Sequence, residues 1–251
     1  MKELYHGFYA TRVYLPLSSL SRRWRKFSRR IRGKQDRFLQ STRLPEVSWR
    51  KFSHTGMPRV WEHRKENGNV RPSELGILSA IATECADGTN LFEIGTFDGR
   101  TTLNLVLNAP ARCQVYTLDL PPALATKFAI AEGERHMVEK PRPGTRYERH
   151  RAARPDAIGR IHQLLGDSAT FDYSPYHGSC SLVFVDGSHA YDYAMSDTRA
   201  AMQLVRPGGV IIWHDYGIWE GVTKALEELE QRDHLGLKNI RGTSLVYWKK
   251  T

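Results

Sequence analysis

From about residue 90 short apolar runs alternate with stretches of helical periodicity. The runs are residues 91–94, 115–118, 161–165, 182–185 and 210–213, and residues 101–107, 194–205 and 222–231 carry the helical spacing. A strand with one wet face alternates apolar and polar residues. Continuous runs instead suit strands covered on both faces, as in a parallel sheet with crossover helices. Ahead of them, Pro72 suits a first helical turn and Glu74 the positive end of that helix. Leu75, Leu78, Ile81, Ala82 and Cys85 keep the helical period until Asp87 and Gly88 end it. Residues 237–240 and 244–248 predict two closing strands around Gly242. The expected body is an open, doubly wound α/β sheet ending in a hairpin.

Charge divides the chain in two. Residues 1–60 hold 15 of the 37 Lys and Arg against only Glu3, Asp36 and Glu46, so the net charge of +10 describes an arm and not the body. Residues 1–69 therefore read as a basic N-terminal extension and 70–251 as the domain. Within residues 21–32, Trp24, Phe27 and Ile31 would stripe an otherwise Arg-rich helix. Such a helix suits peripheral contact with an anionic membrane, a phosphorylated glycan or nucleic acid, or is simply a flexible extension. No nucleic-acid-binding motif accompanies the charge, so no specific nucleic-acid partner is expected. Trp24, Phe27, Trp49 and Trp61 could instead pack against a second subunit of a homo-oligomer. A 40% hydrophobic composition excludes a wholly disordered chain, and no run approaches the roughly 18 apolar residues of a membrane span. Charged residues interrupt the first twenty, so no cleaved signal peptide is expected. Cys85, Cys113 and Cys180 are too scattered for a disulfide framework or a zinc site, which suits a reducing, cytoplasmic environment.

The strand ends carry the chemistry. The first run leads into EIGTFDG at residues 93–99, where Gly95 and Gly99 allow a sharp turn and a close backbone approach. Glu93 and Asp98 there would repel a pyrophosphate and welcome a cationic ligand. The second run ends at Asp119, a carboxylate suited to both ribose hydroxyls. The third ends at Gly166, Asp167 and Ser168, which suit an adenine edge or a plain turn. Residues 121–156, long and charged with prolines at 121, 122, 141, 143 and 155, suit a lid or substrate-selecting insertion over the crevice.

These pieces, with DGSH at residues 186–189 and RPGGVIIWHD at 206–215, resemble the class I S-adenosylmethionine-dependent methyltransferases. The DGSH and His214-Asp215-Tyr216 pieces resemble the branch of macrocin-type sugar O-methyltransferases. The likeness covers roughly residues 70–250 and implies a seven-stranded, mostly parallel Rossmann-like sheet with an antiparallel final strand. It further implies that Glu93, Gly95 and Gly99, with Thr96 and Asp98 of the same loop, line the methionine part of S-adenosylmethionine. Asp119 would meet the ribose, and Asp167 and Ser168 the adenine.

Methyl transfer to a hydroxyl needs alignment and removal of a proton. Asp186 and Asp215 end neighbouring strands and can share a divalent metal, with His214 or Tyr216 able to turn to the same site; Asp186 can instead cap its loop or help seat the cofactor. His189, in the loop above, is the candidate base. In the branch resembled, an acidic residue stands where His214 does. Histidine suits zinc or manganese better than magnesium, so Mg²⁺, Mn²⁺, Zn²⁺ and no metal at all stay open. The expectation is O-methylation of a small molecule or glycan. A nicotinamide (NAD(P))-dependent oxidoreductase is the alternative, against which stands the missing G-x-G-x-x-G. A non-catalytic cofactor-binding protein docking through its basic arm is the other.

Overall fold

The computed structural model describes residues 8–31, 42–52, 57–64, 70–122, 124–139 and 142–251, so Arg32 of the basic run and Pro141 of the insertion lie outside them. The chain begins with β1 (Phe8–Tyr9), a π-helical turn (Ala10–Tyr14) and α1 (Leu15–Ile31), then β2 (Glu46–Val47), a 3-10 turn (Trp49–Phe52) and β3 (Arg59–Val60). The alternating part opens with α2 (Pro72–Thr83), β4 (Asn90–Ile94), α3 (Arg100–Asn108) and β5 (Gln114–Asp119). Three one-turn helices follow, α4 (Arg135–Val138), α5 (Thr145–Glu148) and α6 (Pro155–Ile158), and then β6 (Ile161–Leu165). The chain closes with β7 (Cys180–Val185), α7 (Tyr191–Leu204), β8 (Val205–Trp213), α8 (Glu220–Asp233), β9 (Lys238–Ile240) and β10 (Val246–Lys249).

The main sheet runs β2-β9-β10-β8-β7-β4-β5-β6, with β10 antiparallel to both neighbours and every other pairing parallel. The pleat explains the continuous apolar runs. Leu91, Leu182, Phe184 and Ile212 face a core shared with α2 and α3, whereas Phe92, Val183, Ile211 and Trp213 face one shared with α7 and α8. Both faces are covered, and burying each such side chain stabilises the fold by about 1.5–3 kcal/mol.

The sheet has eight strands, not the expected seven. The extra one is β2, which pairs in parallel with β9 through Glu46–Asn239 and Val47–Ile240 and comes from the segment read as an extension. The change of sequence character near residue 70 does not coincide with a break in packing. Ala10, Leu15, Trp49, Phe52 and Val60 are buried in the α2–α3 core, and Leu44 in the other. Buried Arg100 straps the preceding segment down by donating to the carbonyls of Glu62 (2.6 Å), Val70 (2.8 Å) and His63 (3.3 Å).

From β4 the chain steps outward through β5 to β6, then returns to β7 on the other side of β4. This reversal opens a crevice at the carboxyl ends of β4 and β7, where open α/β sheets bind ligands.

Candidate active site

A cleft lies there, lined by Gly95, Thr96, Phe97 and Asp98 after β4, by Asp119 and Leu120 after β5, by Asp167 and Ser168 after β6, and by Asp186 and His189 after β7. Gly95 is required by the sheet itself: at φ +100°, a Cβ there would come 2.1 Å from the Asp186 carbonyl oxygen. Phe97, at φ 50°, is a non-glycine residue in the left-handed region, a conformation that neighbouring contacts must hold. Asp119 supplies one, accepting the Phe97 N–H (2.6 Å) on one carboxylate oxygen and the Leu120 N–H (2.8 Å) on the other. The strand-end carboxylate thus shapes the glycine loop while remaining on the cleft wall.

The insertion covers this cleft. Thr126, Ile130, Glu134, Met137 and Val138 form its outer wall. The segment is laced to the glycine loop, with Gly144 N–H donating to the Phe97 carbonyl (3.0 Å), Arg146 N–H to that of Asp98 (2.7 Å), and the Arg146 guanidinium 3.1 Å from the Asp98 carboxylate. Gly99 belongs to this contact and not to the cleft wall, since a Cβ there would meet the Tyr147 ring at 2.5 Å. Asp167 accepts the Lys127 N–H (2.7 Å), the Tyr193 hydroxyl (2.9 Å) and the Ala169 N–H (3.0 Å), so its carboxylate serves the loop and the start of the lid.

Beyond the ends of β7 and β8, carboxylates and imidazoles alternate in a row. Glu74 of α2 lies 3.4 Å from His214 Nε2, and His214 Nδ1 lies 2.8 Å from Asp186 and 3.3 Å from Asp215. Asp215 is 2.6 Å from His189 Nε2, and His189 Nδ1 is 3.1 Å from Glu134 of the lid. Every ring nitrogen in the row faces a carboxylate, an arrangement that favours two imidazolium ions. Burial opposes the charge on His189, but Asp215 and Glu134 outweigh it and raise the imidazole to about 9. His214 is likewise raised well above the usual range by Asp186 and Asp215, against burial. Burial pushes the Asp186 carboxyl up; Asp215, also buried, is held well below the usual carboxylate range by His214 and His189. Glu74 is fully buried, yet His214, Arg71 and Ser244 bring its carboxyl down to about 2. Trp219 stacks on the His189 ring at 4.3 Å between centroids, with 10° between planes, and fixes its orientation.

Donor atoms of Asp186, His189 and Asp215 lie within 4.8 Å of one another, a set that could hold a metal ion. His214, expected as a ligand beside Asp186 and Asp215, stands behind them against Glu74, and His189 takes the third corner. Glu93, expected to line the cleft, is fully buried behind it, accepting from the Thr117 hydroxyl (2.6 Å) and from that of Thr102. Burial raises its carboxyl to about 8. Gly95, Thr96, Asp98, Asp119, Asp167, Ser168, Asp186 and His189 do line it.

Two functional candidates escaped the sequence reading. Glu74 reads only as a helix-dipole partner, and Glu134 only as one of many charges in the insertion. Glu134 accepts the backbone N–H of His189 (3.0 Å), the Ser188 hydroxyl (3.0 Å) and the Ala131 N–H (2.9 Å), and so joins the insertion to the loop after β7. No sequence signal singles it out from the other charges of the insertion.

Residues 92–216 match a family model described as a methyltransferase domain. No curated protein matches the chain in sequence. Among solved structures, calicheamicin methyltransferase CalS11 is similar at 14% identity, over 70% of this chain and 77% of that one, with a TM-score of 0.53. The O-methyltransferase TomG from Streptomyces achromogenes, involved in tomaymycin synthesis and solved in complex with S-adenosylmethionine, is similar at 15% identity, over 76% and 92%, with a TM-score of 0.50. The O-methyltransferase NovP is similar at 16% identity, over 72% and 81%, also at 0.50. At these identities the likeness to solved structures is one of fold.

Proposed function

We propose that this chain, whose residues 92–216 match a methyltransferase-domain model, is a class I S-adenosylmethionine-dependent methyltransferase and that it methylates a hydroxyl of a small molecule or glycan. The observation that carries the reading is the His189–Asp215 pair, 2.6 Å apart beside a cleft whose far wall holds the strand-end carboxylate Asp119.

The residues fit the cofactor. Asp98, Glu134 and Asp186 give the cleft an acidic wall suited to a sulfonium and an ammonium, and Leu118, Leu120, Ile130 and Met137 supply apolar surface for a flat base. Asp119 would accept from ribose hydroxyls on lone pairs that Phe97 and Leu120 leave over. When bound, S-adenosylmethionine supplies an electrophilic methyl on sulfur.

The chain's own task is the proton. A hydroxyl acceptor beside His189 would give its proton to the His189–Asp215 pair, which requires His189 to be neutral first. With the imidazole raised to about 9, that form grows as pH rises through that value. A divalent ion held by Asp186, His189 and Asp215 would replace that proton and acidify the hydroxyl; two carboxylates and an imidazole suit Mn²⁺ or Zn²⁺ better than Mg²⁺. Lid residues Met137 and Val138 would exclude water above the reacting atoms.

The test is transfer of a labelled methyl group from S-adenosylmethionine to nucleotide-sugar and phenolic acceptors. An alkali-stable methyl ether is expected. Label only in alkali-labile esters or on nitrogen would overturn the hydroxyl assignment.

A further inference from the structure

The described surface carries an apolar feature that the cleft does not use. Val13, Leu17, Leu20, Trp24, Phe27 and Ile31 are exposed, the last five by 57–70%. Their successive spacings of 4, 3, 4, 3 and 4 residues put them on one narrow face of α1 and the turn before it. The Trp24 and Phe27 rings sit side by side, 6.2 Å between centroids.

The root of this helix is held by the body. Leu15 and Ala10 are buried against Gly76 of α2, and the Ala10 N–H donates to the Pro58 carbonyl (2.7 Å). β1 and β3 pair just beneath it, Phe8 opposite Val60 and Tyr9 opposite Arg59. Beyond Leu15, none of the described side chains of α1 is buried. Six Lys or Arg and no Asp or Glu stand between Leu15 and Ile31, and no acidic residue occurs between Glu3 and Asp36.

Charge decides what covers the stripe. A second copy zipped along the same 4–3 spacing would bring two basic helices together with no carboxylate in either to offset the repulsion. A bilayer rich in anionic lipid meets both needs, giving the apolar side chains an acyl boundary and the basic ones phosphate or carboxylate headgroups. Trp, Phe and Leu are the residues that interfacial amphipathic helices bury at that boundary. With six charges in 17 residues, α1 cannot cross the membrane, and no described helix is long and apolar enough to do so. We propose that α1 is an interfacial helix that docks this protein on an anionic lipid surface, independently of methyl transfer.

Cosedimentation of the full chain with phosphatidylcholine vesicles, with and without about 30 mol% phosphatidylglycerol, tests this at near-physiological salt. Binding is expected to the anionic vesicles only, to weaken as salt rises, and to fall at least about tenfold in Trp24→Ser/Phe27→Ser. That variant should keep the parent's melting temperature and affinity for S-adenosylhomocysteine, since neither residue touches core or cleft. Failure of the parent to bind anionic vesicles, or equal binding by the double variant, would overturn the proposal. So would a lipid-free dimer that dissociates in the double variant, because the stripe would then belong to a second copy.

Discussion

His189 Nε2 lies 2.6 Å from an Asp215 carboxylate oxygen, while its other ring nitrogen faces Glu134 at 3.1 Å. An imidazole gripped on both sides is well oriented but largely protonated at neutral pH, because two carboxylates stabilise the very proton it must lose before accepting another. The geometry therefore predicts an unusual pH dependence, and the mechanism stands or falls with it.

In metal-free buffer, kcat/KM should rise with pH through about 9, the value at which His189 becomes neutral. Replacement of the proton by Mn²⁺ at Asp186, His189 and Asp215 should move that limb to lower pH, and EDTA should restore it. His189→Ala should lower kcat by about 10²–10⁴-fold while leaving cofactor affinity nearly intact. A flat profile between neutral pH and the alkaline limit would remove His189 from the proton path.

Glu134 acts through His189. Glu134→Gln keeps the shape and the acceptor for the His189 N–H but removes the charge facing Nδ1, so the rising limb should shift toward the ordinary histidine range. The variant should also open residues 126–138 to limited proteolysis more readily than the parent. An unmoved limb with unchanged proteolysis would leave Glu134 as packing alone.

Asp119, on the cleft wall after β5, is the residue we propose for the ribose. Asp119→Ala should weaken S-adenosylhomocysteine binding by about 1–3 kcal/mol in calorimetry, from the lost contact and the loosened Phe97 turn together. Affinity within twofold of the parent would show that the sugar is held elsewhere.

Two buried acids set the stability profile. Glu93 has a carboxyl raised by burial to about 8, against an ordinary value of 4.5. Its stabilising contribution is fully present below the unfolded value and is lost as pH rises through the folded one. Asp197, raised by burial to about 7, adds a loss of the same sign. The melting temperature should fall between roughly pH 5 and 8.5, and fall less steeply in Glu93→Gln, whose neutral amide has no proton to release. Parallel slopes for parent and variant would place the titration elsewhere.

The parts of this molecule legible in the sequence are those whose cause is local. Residues 182–185 lie in a strand, Cys180–Val185, because an apolar run buried on both faces leaves little choice of conformation. Asp119, Asp186 and Asp215 are recognisable because each terminates such a run. β2 was not legible: two residues without periodicity become a strand only because β9, far along the chain, offers an unpaired edge. The same holds in the site, where Glu74 meets His214 across 140 positions and Glu134 meets His189 across 55. Gly99 shows the converse: a glycine in a cofactor-like loop, it makes room for the Tyr147 ring of the lid.

Isothermal titration with S-adenosylhomocysteine beside NADH, each in EDTA and then with Mn²⁺, tests the central claim most directly. The account predicts saturable, stoichiometric binding of S-adenosylhomocysteine alone, lost or much weakened in Asp119→Ala and retained in His189→Ala. Binding of NADH, or failure of S-adenosylhomocysteine to bind the folded protein, would contradict it.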